Sequence, residues 1–223
     1  MEKTEIRVVP QPTLRRLAQY HHRLKQLEAM GRDRVSCTTL AEDLELASTQ
    51  IRKDLEATAL TGQAGVGFVL TDLIHAIEAV LGWDNTTDAV LVGAGSLGTA
   101  VLGYERFTQI GLNIVAGFDI DATKVGLKIH GKTILPLDKL TNLVQRMKIK
   151  IGIITVPAEV AQTVTNLMLA GGIRAIWNFA PVILKTPPGV VVENVSLASS
   201  YAVLSNRLTE AIKTQTKTER PTL

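Results

Sequence analysis

Three glycines in "VLVGAGSLGTA", spaced Gly93-x-Gly95-x-x-Gly98, have the pattern of a turn that carries a pyrophosphate. The first glycine permits a tight turn, the second lets the backbone approach phosphate oxygens, and the third lets a helix pack on the preceding strand. Ala94, Ser96 and Leu97 complete the expected turn. About twenty residues on, "LNIVAGFDID" carries Asp119, where a carboxylate accepts ribose hydroxyls. Its charge repels a 2′-phosphate and no arginine follows directly, so NAD(H) is expected over NADP(H). Two further segments, "TVPAE" with Thr155, Val156 and Pro157 and "NFAP" with Asn178, Phe179, Ala180 and Pro181, fall at the C-terminal ends of expected strands. Ligands of open α/β sheets lie at that edge, so these residues are candidates for the nicotinamide side, with ordinary βα-loop chemistry as the alternative.

Hydride transfer needs a proton donor and a substrate pocket beside the nicotinamide. His130 follows the Asp119 region instead, and Tyr104 is expected on the helix behind the glycine turn. No catalytic residue is assigned, and no His, Cys or carboxylate group has metal-ligand spacing. The pattern describes a reader of the cofactor rather than a user of it.

A second chemistry lies in "ASTQIRKDLEATA". With Ile51 and Leu55 facing inward, helical geometry turns Thr49, Arg52, Lys53 and Glu56 outward and leaves Gln50 at the edge. Arginine can bond a guanine edge, glutamine an adenine edge and lysine a phosphate. Thr49, Gln50, Arg52 and Lys53 are therefore candidate DNA contacts, with Arg16 of the first helix added to them. A small helical domain with a solvated charged face is the alternative reading of this stretch.

The elements that must position these groups follow from periodicity and caps. Leu14, Leu17, Tyr20, Leu24 and Leu27 form one stripe of a helix over 12–30, ended by Gly31, with His21 as a packing residue at its edge. Thr39 and Glu42 have capping-box spacing for a second helix, with Leu40 and Leu44 inward. The glycine-rich "LTGQAGVGFVL" suits a hairpin wing, and "TDLIHAIEAVLGW" suits a helix opened by Thr71 or Asp72 and closed at Gly82. Together these describe a winged helix-turn-helix over 10–82, with "WDNTTD" as the joint. From residue 88 to 196 strands and helices alternate, as a Rossmann doubly wound parallel sheet requires. A last helix over 197–213 carries Leu197, Tyr201, Leu204 and Leu208 on a stripe outside the completed sheet, so it is expected to dimerise the chain. The tail from 214 to 223 is expected to be disordered. The fold class expected is α/β: winged helix-turn-helix, Rossmann domain, dimerisation helix.

Composition is compatible with this plan. The chain has 223 residues, 46% of them hydrophobic, a net charge of +3 and one cysteine, Cys37. Up to Gly82 ten Lys and Arg stand against eleven Asp and Glu, so DNA binding there must rest on placement rather than bulk charge. No apolar run reaches membrane-spanning length, and the charged "MEKTEIRVVP" does not read as a signal peptide. A lone cysteine suits the reducing cytoplasm, which is the expected location.

The order of these parts, with "QIRKDL", "GVGF", "VGAGSLG", "FDID", "TVPAE", "NFAPV" and "VVVENV", resembles the Rex family of redox-sensing transcriptional repressors over about Pro10 to Leu208. The resemblance implies a homodimer whose winged-helix domains hold palindromic operator DNA when NADH is scarce and release it when NADH binds. It implies that Gln50, Arg52 and Lys53 belong to a recognition helix, that Gly93, Gly95, Gly98 and Asp119 hold the cofactor, and that Tyr104 couples cofactor to domain position. Where the family pattern continues "SYFG", "RGVGY" and "ENVD", this chain has "EATA", "AGVGF" and "ENVS". Glu56, Ala64 and Ser196 are the resulting departures. A sensor with altered DNA binding that acts through protein partners is the rival reading, and a small NAD-dependent oxidoreductase is a third.

Overall fold

A computed structural model describes residues 9–218 as two units with separate cores. One unit runs as far as Thr86 and also takes in Arg106–Leu112, and the other holds Thr87–Glu105 and the chain from Asn113 onward.

The first unit begins with α1, Gln11–Ala29, which follows Pro10 and ends before Gly31 at φ +76°. Its stripe is as the periodicity predicts: Leu17, Tyr20, Leu24 and Leu27 are buried, with Leu14 at the margin. His21 is buried among them, its Nε2 2.8 Å from Glu78 Oε1 and its ring edge-on to Trp83. The strand β1, Arg34–Val35, leads into α2, Cys37–Leu44. The cap of α2 is Ser36 and not Thr39: the Ser36 hydroxyl accepts from the Thr39 N–H at 3.0 Å. Thr39 thus sits at the third helical position, and the helix begins two residues before the expected cap. After a turn comes α3, Ser48–Leu55, with Ile51 and Leu55 buried, continued by one 3₁₀ turn at Glu56–Thr58.

The wing is a tight turn in which Gln63 and Gly67 exchange both backbone hydrogen bonds at 2.9 Å. It returns through β2, Phe68–Val69, paired antiparallel with β1. The helix α4, Leu70–Leu81, then closes the unit. Val69 precedes it without a side-chain cap, so the expected opening by Thr71 or Asp72 is corrected, while Gly82 at φ +68° ends it as expected. Ile74 and Ile77 pack with Leu17, Tyr20, Leu40 and Ile51 into the first core.

The second unit is built on β3, Thr87–Val92, followed by α5, Ser96–Leu102, and the short α6, Arg106–Gln109, whose residues group with the first unit. Then come β4, Leu112–Asp119, and a hairpin of β5, Lys128–Ile129, and β6, Lys132–Pro136, turned by His130 and Gly131, both at positive φ. A 3₁₀ turn leads to α7, Leu140–Met147, and then follow β7, Ile151–Ile154, α8, Ala158–Gly171, and β8, Ala175–Asn178. The chain reaches β9, Val191–Asn194, through a helix-free crossover and ends in α9, Leu197–Thr218.

The sheet order is β5-β6-β4-β3-β7-β8-β9. Without β5, the strands run third, second, first, fourth, fifth, sixth in chain order, which is the doubly wound dinucleotide-binding topology. The sheet is parallel as expected except at one edge, where the short β5 pairs antiparallel with β6. Val90, Val92, Phe118 and Ile154 of the central strands pack with Val144, Val164 and Met168 of the helices in the second core. The tail expected from 214 is helical through Thr218, and its last five residues lie outside the described part.

Candidate functional site

Sequence places a glycine wherever the turn after β3 leaves no room for a side chain. Gly93 has φ +103°, and a Cβ there would meet the Thr155 carbonyl oxygen at 2.8 Å. A Cβ on Gly98 would run into the Gly93 carbonyl and the Thr155 hydroxyl. Gly95 differs, because its Cβ position has nothing within 4 Å and faces a cleft. The backbone is therefore bare where a phosphate would have to approach.

That cleft has a volume of about 520 Å³ and is lined by Gly93, Gly95, Asp119, Lys124, Thr155, Val156 and Pro157, with apolar surface from Ile120, Leu137 and Val160. Asp119 ends β4, as the sequence spacing requires. Its Oδ2 accepts from the Ala94 N–H at 2.8 Å and from Lys124 Nζ at 3.3 Å, and its Oδ1 accepts from the Asp121 N–H at 3.0 Å. Burial by itself would raise this carboxyl, but the amides of Asp121 and Ala94 and the Lys124 ammonium hold it below the usual carboxylate range. It is a carboxylate at a strand end whose Oδ1 keeps one acceptor site unused, as a ribose hydroxyl needs.

The expected cofactor residues divide between two places. Gly93, Gly95, Asp119, Thr155, Val156 and Pro157 converge on this cleft. Thr155 also has a supporting part: its hydroxyl donates to the Gly93 carbonyl at 2.8 Å and to the Val92 carbonyl at 3.0 Å, fixing the turn. Leu97, Phe179, Ala180 and Pro181 line a second cleft of about 540 Å³ with Val182, Ser196 and Leu197. Ala94 is buried with its amide on Asp119, Ser96 opens α5, and Gly98 lies inside that helix. Two expectations need correction. Tyr104 is not on the helix, because α5 ends at Leu102 and Gly103, leaving Tyr104 on the surface before α6. Asn178 is fully buried and lines neither cleft; its Nδ2 donates to the carbonyls of Ala180 and Val182 and to Asn194 Oδ1, and its Oδ1 accepts from the Ala180 N–H. It holds the loop that follows β8 in shape.

In the first unit, Thr49, Arg52 and Lys53 are exposed on α3 and Gln50 is half-buried, as predicted. Arg52 shares a cleft with Glu56, with Ala64 and Gly65 of the wing, and with Ser36 and Thr38 at the start of α2. Glu56 and Ala64, two of the departures noted in the sequence, thus face the same space as Arg52. Arg16 is corrected. Its Nε lies 2.6 Å from Asp54 Oδ2 and its NH2 2.8 Å from Asp54 Oδ1, a bidentate clamp between α1 and α3. That bond raises the guanidinium's already high pKa. Asp54, missed in the sequence, is only 2% exposed and also accepts from Tyr20, Thr13 and Gln50. The available signal was a carboxylate one turn after Gln50 and next to Leu55, on the buried side of α3. Lys124 was likewise missed; its place one turn after Asp121 aims it back at the end of β4.

Ser196 caps α9, its hydroxyl accepting from the Ser199 N–H at 3.1 Å. Leu197, Tyr201, Leu204 and Leu208 of that helix are all more than half exposed. Among the described residues no cluster of His, Cys, Asp and Glu has a metal-binding arrangement, and no helix is long and apolar enough to cross a membrane.

Comparison with known proteins covers both units. Residues 8–56 match the family model "Putative DNA-binding protein N-terminus", and residues 84–182 match "CoA binding domain". A redox-sensing transcriptional repressor Rex of Treponema denticola is 42% identical over 86% of this chain and 92% of its own length. The solved structure of RSP, a Rex-family repressor, in complex with β-NAD⁺ and operator DNA is 35% identical, with TM-score 0.85 over 96% of this chain and 99% of that one. RSP in complex with β-NADH is 34% identical, with TM-score 0.84 over 94% and 98%.

Proposed function

The chain belongs to the Rex family of redox-sensing transcriptional repressors, and from that premise we propose that it represses transcription by binding operator DNA as a homodimer and is released by NADH. The observation that carries this reading is the presence of two intact reading surfaces in one chain. One is the outward face of α3; the other is the cleft where bare Gly95 backbone meets the Asp119 carboxylate. The residues fit a dinucleotide: Gly95 admits a pyrophosphate, Asp119 accepts ribose hydroxyls, and Thr155 and Pro157 form the opposite wall. NADH supplies the redox signal when bound. Thr155 and Asp119 keep the turn in its binding shape through the Gly93 carbonyl and the Ala94 amide. In this reading Thr49, Gln50, Arg52 and Lys53 contact DNA, Tyr104 couples the two functions, and the protein works in the cytoplasm where NADH and the chromosome meet.

The test is a gel shift with duplex selected from a random pool. NADH is expected to dissociate the complex at lower concentration than NAD⁺, and a complex indifferent to NADH contradicts the proposal. A second reading, a sensor with weakened operator contact, is favoured by Glu56 and Ala64 lining the same cleft as Arg52.

A further inference from the structure

Asp54 does more than hold two helices together. Its carboxylate accepts from Arg16 twice, from the Tyr20 hydroxyl at 2.8 Å, from the Thr13 hydroxyl at 3.1 Å and from Gln50 Nε2 at 3.0 Å. The first three partners lie on α1 and fix the carboxylate in place; Gln50 is on α3 itself, one turn earlier. A carboxylate only accepts, so the orientation of the Gln50 amide is settled: its NH₂ group points to Asp54. One N–H is consumed, leaving one N–H and the carbonyl oxygen. That is one donor and one acceptor, the pair that an adenine edge requires at N7 and N6. A guanine edge offers two acceptors, N7 and O6, and would place O6 against the Gln50 carbonyl oxygen. A freely rotating glutamine escapes this conflict by turning its whole NH₂ outward. Gln50 bonded to Asp54 does not.

We propose that Asp54 is a specificity-determining positioning residue, which fixes the Gln50 amide so that α3 accepts adenine and rejects guanine at the base Gln50 meets. The inference rests on the reading of α3 as the DNA-contacting helix. A merely structural Asp54 would change affinity for all sequences alike, whereas this role changes the ratio between two bases.

The full-length chain, its Gln50→Ala and Asp54→Ala variants and the double variant are compared on a duplex selected by the wild type from a random pool, with each adenine replaced in turn by guanine. Alanine is used at position 54 because asparagine would keep a carbonyl oxygen able to accept from Gln50. The wild type is expected to prefer adenine by about tenfold or more at one position. Gln50→Ala should flatten that preference, Asp54→Ala should flatten it to within about threefold, and the double variant should be no flatter than either. If Gln50→Ala changes no position, the base-reading role of Gln50 fails and the proposal with it. If Gln50→Ala flattens the preference and Asp54→Ala keeps it, Asp54 is structural only and this inference alone is overturned. Should Asp54→Ala fail to fold, the labelled Gln50 side-chain amide of the wild type decides by NMR: one slowly exchanging N–H beside one fast one supports the proposal, and two exchanging alike overturn it.

Discussion

Asp119 and Asp54 are both depressed carboxylates at the ends of their elements, but they do opposite work. Asp119 keeps one acceptor site on Oδ1 for a ligand, and its loss removes a charge-assisted hydrogen bond worth about 1.5–3 kcal/mol. Asp119→Ala is therefore expected to weaken NADH binding at least tenfold and to narrow the preference over NADPH. Equal NADH affinity by calorimetry would remove Asp119 from the site. Asp54 is saturated by its own protein. Burial alone would raise its carboxyl, yet donors on Arg16, Tyr20 and Thr13 hold it below the usual range. Its folded pKa is thus lower than its unfolded one, near 3.9. The stability it contributes is complete above that value and is lost as pH falls through the folded one. The melting-temperature gap between wild type and Asp54→Asn should accordingly close below about pH 4; a constant gap down to about pH 2 contradicts this. Asp119 was legible in the sequence because its spacing from the glycines is local information. Asp54 was not, because its meaning depends on Arg16, 38 positions away.

Among the elements, the glycine turn and α9 carry the strongest expectations. A Cβ on Gly98 would enter the Gly93 carbonyl, so Gly98→Ala should shift β3 against α5 at a cost of about 1–3 kcal/mol and abolish NADH binding by calorimetry. The helix α9 leaves its apolar stripe uncovered by its own unit. Truncation before Leu197 is expected to give monomers or insoluble protein, and a soluble truncated dimer in light scattering contradicts its role in dimerisation. Helices were legible from their stripes, since burial of Leu17, Tyr20, Leu24 and Leu27 follows a 3.6-residue period. The strands β5 and β9 were not. Two to four residues with mostly exposed side chains, such as Lys128–Ile129 and Val191–Asn194, leave no alternation to read. The start of α2 was misread because Ser36 and Thr39 are both capping residue types; only the bond from the Thr39 amide identifies the cap.

For the whole molecule, the order of its parts was legible, and so was the family. What the departures do to DNA affinity is a question of summed charge. If Glu56 and the missing wing cation weaken operator contact, Glu56→Ser with Ala64→Arg should tighten it and steepen the slope of log K against log salt by about 0.9 for each further phosphate neutralised. An unchanged slope, with tight binding by the wild type, would mark both departures as harmless. Arg106–Leu112 has a different bearing. Those seven residues lie just beyond the helix of the glycine turn, yet they group with the first unit, where the Arg106 guanidinium meets His22 Nδ1 at 2.7 Å. The polypeptide therefore crosses the boundary between its units three times. The DNA-reading half is not a cassette: a fusion cut at Thr86 and grafted onto another sensor would leave part of its own fabric behind. Swapping sensors in this architecture requires exchanging two separate stretches of gene together.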